Sequence, residues 1–254
     1  MFKDKVVIVT GGLGGIGKAI AQRYLKEGAR VAVVDVDEQK GADLAEQWEQ
    51  DYSRQFLFTL ADVADYEQSQ AAFLKIVEAF GPVDILVNNA GISPKHSGAP
   101  IPFYEMSTAE WHRVVDVNLH SAFNWSRLVA PFMVERKTGR IINMSSVAAK
   151  ANLVDIVAAH YSTTKAALIG FTRHLAGELG PFGITVNALA PGRINTPLLQ
   201  SVVFTANETV IANTPLRRLG EPSEVADACL FLTSDQASFV TGQVLDVAGG
   251  WLLT

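Results

Sequence analysis

Short apolar runs rich in β-branched residues recur along the chain, and segments with helical spacing separate them. Residues 5–10 (KVVIVT), 30–35 (RVAVVD), 55–60, 83–88 (VDILVN), 140–144, 184–189 and 243–247 read as buried strands. Residues 16–27, 38–50, 66–80, 107–134, 161–179 and 223–232 read as helices. Ser107 followed by Glu110 has the spacing of a capping box at the start of the longest helix. Continuous apolar strands alternating with helices predict a parallel sheet covered on both faces, because such strands present no polar side to water. The expected fold class is α/β: a single doubly wound Rossmann-type domain over residues 1–254, with a mostly parallel sheet of about seven strands and helices on both faces.

No repeat, low-complexity linker or long charge run suggests a second domain. Two loop-like stretches, 93–102 with its three prolines and 192–214, each follow a strand. In an open α/β sheet, ligands bind beyond the carboxyl ends of the strands. The two loops are therefore expected to wall a substrate pocket, with a lid at about 192–214.

The composition, 48% hydrophobic and 19% charged, supports a substantial core and excludes the disordered class. A formal net charge of -5 leaves no basic footprint, so nucleic acid is not an expected partner. A nucleotide cofactor remains compatible, because a helix N-terminus holds phosphate through backbone amides. Cys229 is the single cysteine, which rules out an intrachain disulfide and reads as a small apolar helix residue. The histidines at 96, 112, 120, 160 and 174 have no ligand spacing, and no metal is expected. No stretch is apolar for long enough to span a bilayer, and residues 1–5 lead almost directly into the first strand. The expectation is a cytoplasmic protein with no membrane partner.

Candidate chemistry begins at the first strand–helix junction, Thr10-Gly11-Gly12-Leu13-Gly14-Gly15-Ile16-Gly17. Glycines there permit a tight turn and let a pyrophosphate approach the backbone at the start of the helix. Two registers fit: Gly12, Gly14 and Gly17 as G-x-G-x-x-G, or Gly11, Gly15 and Gly17 as G-x-x-x-G-x-G. Asp35, at the end of the second strand, stands where a carboxylate would grip the adenosine ribose hydroxyls and repel a 2′-phosphate. Gly14 and Val36 carry no charge that would favour such a phosphate, so the expected cofactor is NAD.

Tyr161 and Lys165 lie four apart in a helical segment and share a face. An unperturbed phenol titrates near 10, and a nearby ammonium would favour the phenolate. The pair alone is weak evidence, since such spacing arises by chance.

The ordered set of signals says more. The chain carries Thr10 to Gly17, Asp62-Val63, Asn88-Asn89-Ala90-Gly91, Asn118, Ser146, Tyr161-x-x-x-Lys165 and Pro191-Gly192. This series resembles the short-chain dehydrogenase/reductase family over the whole length from Val6 to Gly250. The resemblance selects the register Gly11, Gly15, Gly17. It implies Tyr161 as general acid/base, with Lys165 lowering its pKa and binding the nicotinamide ribose. Ser146 would hydrogen-bond the substrate oxygen, with Ser145 as its competitor, and Asn118 would hold a water in a proton relay. Gly14, Ile16, Gly91, Pro191 and Gly192 would also bound the cofactor groove. Asp62 and Val63 would contact adenine, Asn89 and Ala90 would line the groove, and Ile194 and Thr196 would orient the nicotinamide amide. Asn89 could equally satisfy buried backbone groups. The family also implies a homotetramer in which helices 107–134 and 161–179 pair across an interface, while Trp251-Leu252-Leu253 could pack in a second one.

Two departures stand out. The Ser146–Tyr161 spacing is two residues longer than the family's commonest, so residues 148–160 are expected to be remodelled. Ala248 stands where the family usually has aspartate. The pocket is expected to draw on Ser93, Lys95, His96, Ser97, Asn152, Asp155 and His160, together with Leu153, Ile156, Val157, Leu198 and Phe204. Arg193, Arg217 and Arg218 are too scattered to argue an acidic substrate. The expected activity is hydride transfer between NAD(H) and a small-molecule secondary alcohol or ketone, such as a polyol or sugar. The alternatives are a 3-oxoacyl-thioester reductase, which would normally prefer NADP, and a non-catalytic NAD-binding regulator.

Overall fold

The computed structural model describes residues 1–52, 54–200 and 210–252. Seven strands form one sheet: β1 (Val6–Thr10), β2 (Arg30–Asp35), β3 (Phe56–Leu60), β4 (Ile85–Asn88), β5 (Gly139–Met144), β6 (Ile184–Pro191) and β7 (Val244–Val247). Their order is β3-β2-β1-β4-β5-β6-β7, and every adjacent pair is parallel. The sheet, expected as mostly parallel with about seven strands, is fully parallel with seven.

Alternate residues of each strand feed opposite faces, so the strands need apolar residues throughout. Val7 and Val9 of β1 join one core with Ile20 and Tyr24 of α1 (Gly15–Lys26). That core also receives Leu44 and Trp48 of α2 (Glu38–Tyr52). Val6 and Ile8 join the other core with Phe73 and Ile76 of α3 (Tyr66–Phe80). Trp125, Leu128 and Met133 complete this second layer. Each fully buried large side chain contributes about 1.5–3 kcal/mol, which makes the two layers the main source of stability.

Residues 107–134, expected as one helix, form α4 (Thr108–Val115), a π-helical turn at Asp116–His120, and α5 (Ser121–Arg136). The Ser121 N–H donates to the Asp116 carbonyl, a five-residue step that brings one extra residue into the turn. Apolar spacing cannot distinguish one such turn from ordinary helix. After β5 comes α6 (Ala159–Leu179), which begins two residues earlier than expected and so places Tyr161 within its first turn. A four-residue helix, α7 (Pro197–Gln200), and α8 (Pro222–Thr233) follow β6.

Cys229 of α8 is buried against α1: Tyr24 Oη lies 2.7 Å from Thr233 Oγ1 and 3.6 Å from Cys229 Sγ. Burial pushes the thiol up to about 12, so it is inert packing. Much of the expected lid, including Phe204, lies outside the described residues, as do the Leu198 side chain and Leu253. Among the described residues, no helix is long and apolar enough to cross a membrane. No group of three or more His, Cys, Asp or Glu there is arranged to hold a metal ion.

Candidate active site

The chain order reverses between β1 and β4, and a cavity of about 660 Å³ opens at the carboxyl ends of the strands around that point. Gly11, Asp35, Asp62, Asn89, Ser146 and Gly192 all line it, contributed by the ends of six successive strands or the turns after them.

The glycine turn adopts the Gly11/Gly15/Gly17 register. Gly11 has φ +65°, and a Cβ there would lie 2.7 Å from Ala90 Cα. A Cβ at Gly17 would lie 2.2 Å from the Gly11 carbonyl oxygen. Gly14 has open space around it, so nothing steric demands glycine there. Gly14 is the N-cap of α1 with no side-chain cap, and the first turn carries no acid. The free helix amides therefore face a cradle shaped for an anion, which fits the pyrophosphate of a dinucleotide.

Asn89 satisfies buried backbone groups of the glycine turn. Its amide donates to the carbonyls of Thr10 (3.0 Å) and Gly11 (2.8 Å), and its backbone N–H donates to Thr10 Oγ1. It pins the turn while lining the cavity.

At the β2 end, Asp35 accepts from the N–H groups of Leu13 (3.2 Å) and Val36 (2.8 Å). A carboxylate has about four lone-pair sites, leaving capacity for two ribose hydroxyls. Asp62 is paired with Arg113 at 3.0 Å, and both line the cavity with Val63. Lys40 also lines this end, a cation that sequence reading missed; Asp37 holds it at 2.6 Å.

Ser146, Tyr161 and Lys165 meet at the other end. Ser146 Oγ accepts from the Ala148 N–H at 3.1 Å, which leaves its proton to donate. Ser145 Oγ donates to the Lys165 carbonyl at 2.8 Å and is engaged inside the fold. Burial pushes the Tyr161 phenol above its usual range, while hydrogen bonding with Ser146 opposes that shift. Lys165 donates to the Met144 carbonyl at 2.7 Å, and burial brings its ammonium down to about 8. Lys165, expected to lower the Tyr161 pKa, does not hydrogen-bond the phenol here, and burial is the largest influence on that group.

Asn118 does not line the cavity. Its side chain accepts from the Ile92 N–H (2.7 Å) and donates to the Ile92 carbonyl (3.0 Å) and Thr164 (3.3 Å). The π turn brings it inward to hold the loop after β4, so a relay through its side chain would require these bonds to change.

Ile92, Ser93, Lys95, Leu153, Ile156, Val157, Arg193, Ile194, Thr196 and Trp251 complete the substrate-side wall. Trp251 was expected only at an interface. His160 does not touch the cavity: it is fully buried, with Nε2 2.9 Å from Glu110 Oε1. His96 meets the other oxygen of Glu110 at 2.8 Å. Only half of the expected capping box forms. Ser107 accepts from the Glu110 N–H, whereas the Glu110 carboxylate engages the two histidines. Ala248 packs on Gly192, where an added Cβ would lie 2.9 Å from its Cα and Cβ.

Comparison with known proteins agrees with this architecture. Residues 11–252 match a family model described as enoyl-(acyl carrier protein) reductase. The chain is 40% identical to nodulation protein G of Azospirillum brasilense, over 97% of this chain and 98% of that protein. It is 36% identical to a 3-oxoacyl-acyl-carrier-protein reductase of Thermotoga maritima, over 99% of each. A crystal structure of a 3-oxoacyl-acyl-carrier-protein reductase with bound NAD from Brucella melitensis superposes with a TM-score of 0.91 at 46% identity, covering 99% of this chain and 92% of that one. A full-length match of this kind, joined to the parallel sheet and the cavity at its switch point, places the chain in the short-chain dehydrogenase/reductase family of nicotinamide-dependent oxidoreductases.

Proposed function

We propose that the protein transfers a hydride between NAD(H) and a small secondary alcohol or ketone, with Tyr161 as general acid/base. The observation that carries this reading is one cavity with Ser146, Tyr161 and Lys165 at one end and Asp35 at the other. Nicotinamide supplies the hydride acceptor or donor when bound. Ser146 donates its hydroxyl proton to the substrate oxygen, in exchange for its bond with Tyr161, and fixes that oxygen beside Tyr161. Tyr161 takes the hydroxyl proton during oxidation and returns it during reduction. Lys165 places positive charge under the reacting end and offers donors to the nicotinamide ribose. Ile194 and Thr196 orient the nicotinamide amide, and the amides at the start of α1 hold the pyrophosphate. Asp35 favours NAD over NADP because a 2′-phosphate would approach its carboxylate. Lys40 weakens that repulsion little, since its charge is paired with Asp37.

A second reading, reduction of a 3-oxoacyl thioester, is favoured by the names of the relatives in Thermotoga and Brucella. Retention of the Ser146, Tyr161 and Lys165 set argues against a non-catalytic regulator. We further propose a single domain over residues 1–254 with a lid near 192–214, a homotetramer pairing α4, α5 and α6 across an interface, and a cytoplasmic location. A tetramer mass in light scattering tests the assembly.

The test of function is NADH formation from secondary alcohols, diols and sugar alcohols, with NAD and NADP side by side and with acetoacetyl-CoA reduction as a parallel arm. NAD-dependent turnover lost in Tyr161→Phe supports the mechanism. Tight NADH binding with no turnover of any alcohol, ketone or thioester would overturn it.

A further inference from the structure

Residues 150–157 belong to the lengthened stretch between Ser146 and Tyr161. One turn organises them: the N–H groups of Ile156 (2.9 Å) and Val157 (3.0 Å) both donate to the Leu153 carbonyl. The turn places Leu153, Ile156 and Val157 along the cavity and leaves Val154 and Asp155 exposed. Ile92 and Trp251 add to the apolar lining there.

A loop with a single turn of its own loses conformational entropy at every residue it orders, so contacts from outside must hold it. Two lysines supply them. The Lys150 ammonium lies 2.7 and 2.9 Å from the two carboxylate oxygens of Asp246 on β7. Those side chains are only 20% and 21% exposed, which limits screening of the pair by water and salt. From the other flank Lys95, on the loop after β4, donates to the Ile156 carbonyl. Its ammonium is half-buried, and burial pushes it below the ordinary lysine range. The sheet order β4-β5-β6-β7 explains the arrangement, because the segment leaves β5 and is tied to strands on both sides of it. Lys95 lines the cavity, yet its charge is directed at the backbone of the wall.

We propose that Lys95 and Lys150 are positioning residues that clamp this segment from both flanks, fixing an apolar wall for a hydrocarbon arm of the substrate. The inference rests on the oxidoreductase reading above. It narrows the substrate to a secondary alcohol or ketone bearing an alkyl arm beside the reacting carbon. A polyol or sugar would bring hydroxyls against Leu153, Ile156 and Val157, where they would lose water without gaining partners.

The test compares 2-butanol, 2-pentanol and 2-hexanol with 1-methoxy-2-propanol, in which an ether oxygen replaces one methylene of 2-pentanol. In the wild type kcat/KM should rise about threefold or more per methylene. It should favour 2-pentanol over the ether by about tenfold or more. Lys95→Met and Lys150→Met should each flatten the series to about twofold per methylene or less, with the loss carried by KM. NADH fluorescence titration checks that each variant folds, and Lys150→Arg, which keeps the ion pair, should keep the slope. A second measurement needs no substrate. Hydrogen exchange across residues 150–157 should quicken about tenfold or more in both Met variants while β5 stays protected. A merely structural role would lower Tm without moving the chain-length slope. A flat wild-type series, an ether or polyol used as well as the alkanols, no turnover of any alkanol, or a slope and an exchange rate unmoved in both folded Met variants would each overturn the proposal. Alcohols oxidised with Tyr161 dependence but without chain-length preference would sink this inference alone. Failure to bind NADH would sink the oxidoreductase reading itself.

Discussion

The Lys165 ammonium lies 5.6 Å from the centroid of the Tyr161 ring, near enough to act through space but not bonded to the phenol oxygen. Its direct partner is the Met144 carbonyl at the end of β5. Both residues belong to α6, but the lysine ammonium is anchored to the end of β5, so its distance from the ring depends on how that strand end and α6 pack.

Tyr161→Phe should lower kcat by about 10²-fold or more, while NADH affinity changes by less than about threefold. The phenol is held above its ordinary value of 10 by burial, so the base needed for alcohol oxidation grows in as pH rises. Oxidation should therefore climb through the alkaline range, whereas ketone reduction, which uses the phenol, should not. Rate profiles in both directions check this, and an alkaline rise that survives in Tyr161→Phe would assign it to another group.

Lys165→Met should trade activity for stability. The folded value of about 8 lies below the ordinary 10.5, so the unfolded chain holds this proton more tightly. The resulting cost to the fold is fully present below pH 8 and disappears as pH rises towards 10.5, amounting to about 3 kcal/mol. Losing the bond to the Met144 carbonyl returns about 1–2 kcal/mol of that. The variant should melt higher than wild type at pH 7, and the gap should close by pH 10. A lower melting point at pH 7 would mean that the ammonium is stabilised more than its burial implies.

Gly17→Ala and Gly14→Ala should behave differently although both alter the same turn. The first drives a Cβ into the Gly11 carbonyl and should cost about 2 kcal/mol or more, with loss of NADH binding. The second meets open space and should remain within about 1 kcal/mol of wild type. Equal losses in chemical denaturation would contradict the register seen here.

Asp35→Ala should weaken NAD binding about tenfold and narrow the preference over NADP, because it removes both the hydroxyl acceptor and the repelling charge. Titration of the two reduced cofactors gives the comparison. Unchanged selectivity would place discrimination elsewhere, with Lys40 the next residue to examine.

The strands were legible because burial on both faces leaves a signature within a few residues, as in Val6 to Thr10 and Val31 to Val34. The site residues on strand ends, Asp35 and Ser146, came with them. Contacts between distant segments were not legible. Nothing local in the helical spacing around Asn118 marks a five-residue turn, and its bond to Ile92 spans 26 positions. Glu110 has the spacing of a cap, yet a buried histidine 50 residues away engages its carboxylate. Lys95, Arg193 and Trp251 reach one cavity from three separate strand ends, which residue-by-residue reading treats as scattered.

That carboxylate has a mechanical consequence. Glu110 holds His96, on the loop at the pocket wall, with one oxygen, and His160, in the first turn of the helix carrying Tyr161, with the other. The loop after β4 and the first turn of the helix carrying Tyr161 share one anchor. Moving either histidine would therefore disturb the carboxylate that also holds the other, so the loop after β4 and the start of α6 do not shift independently.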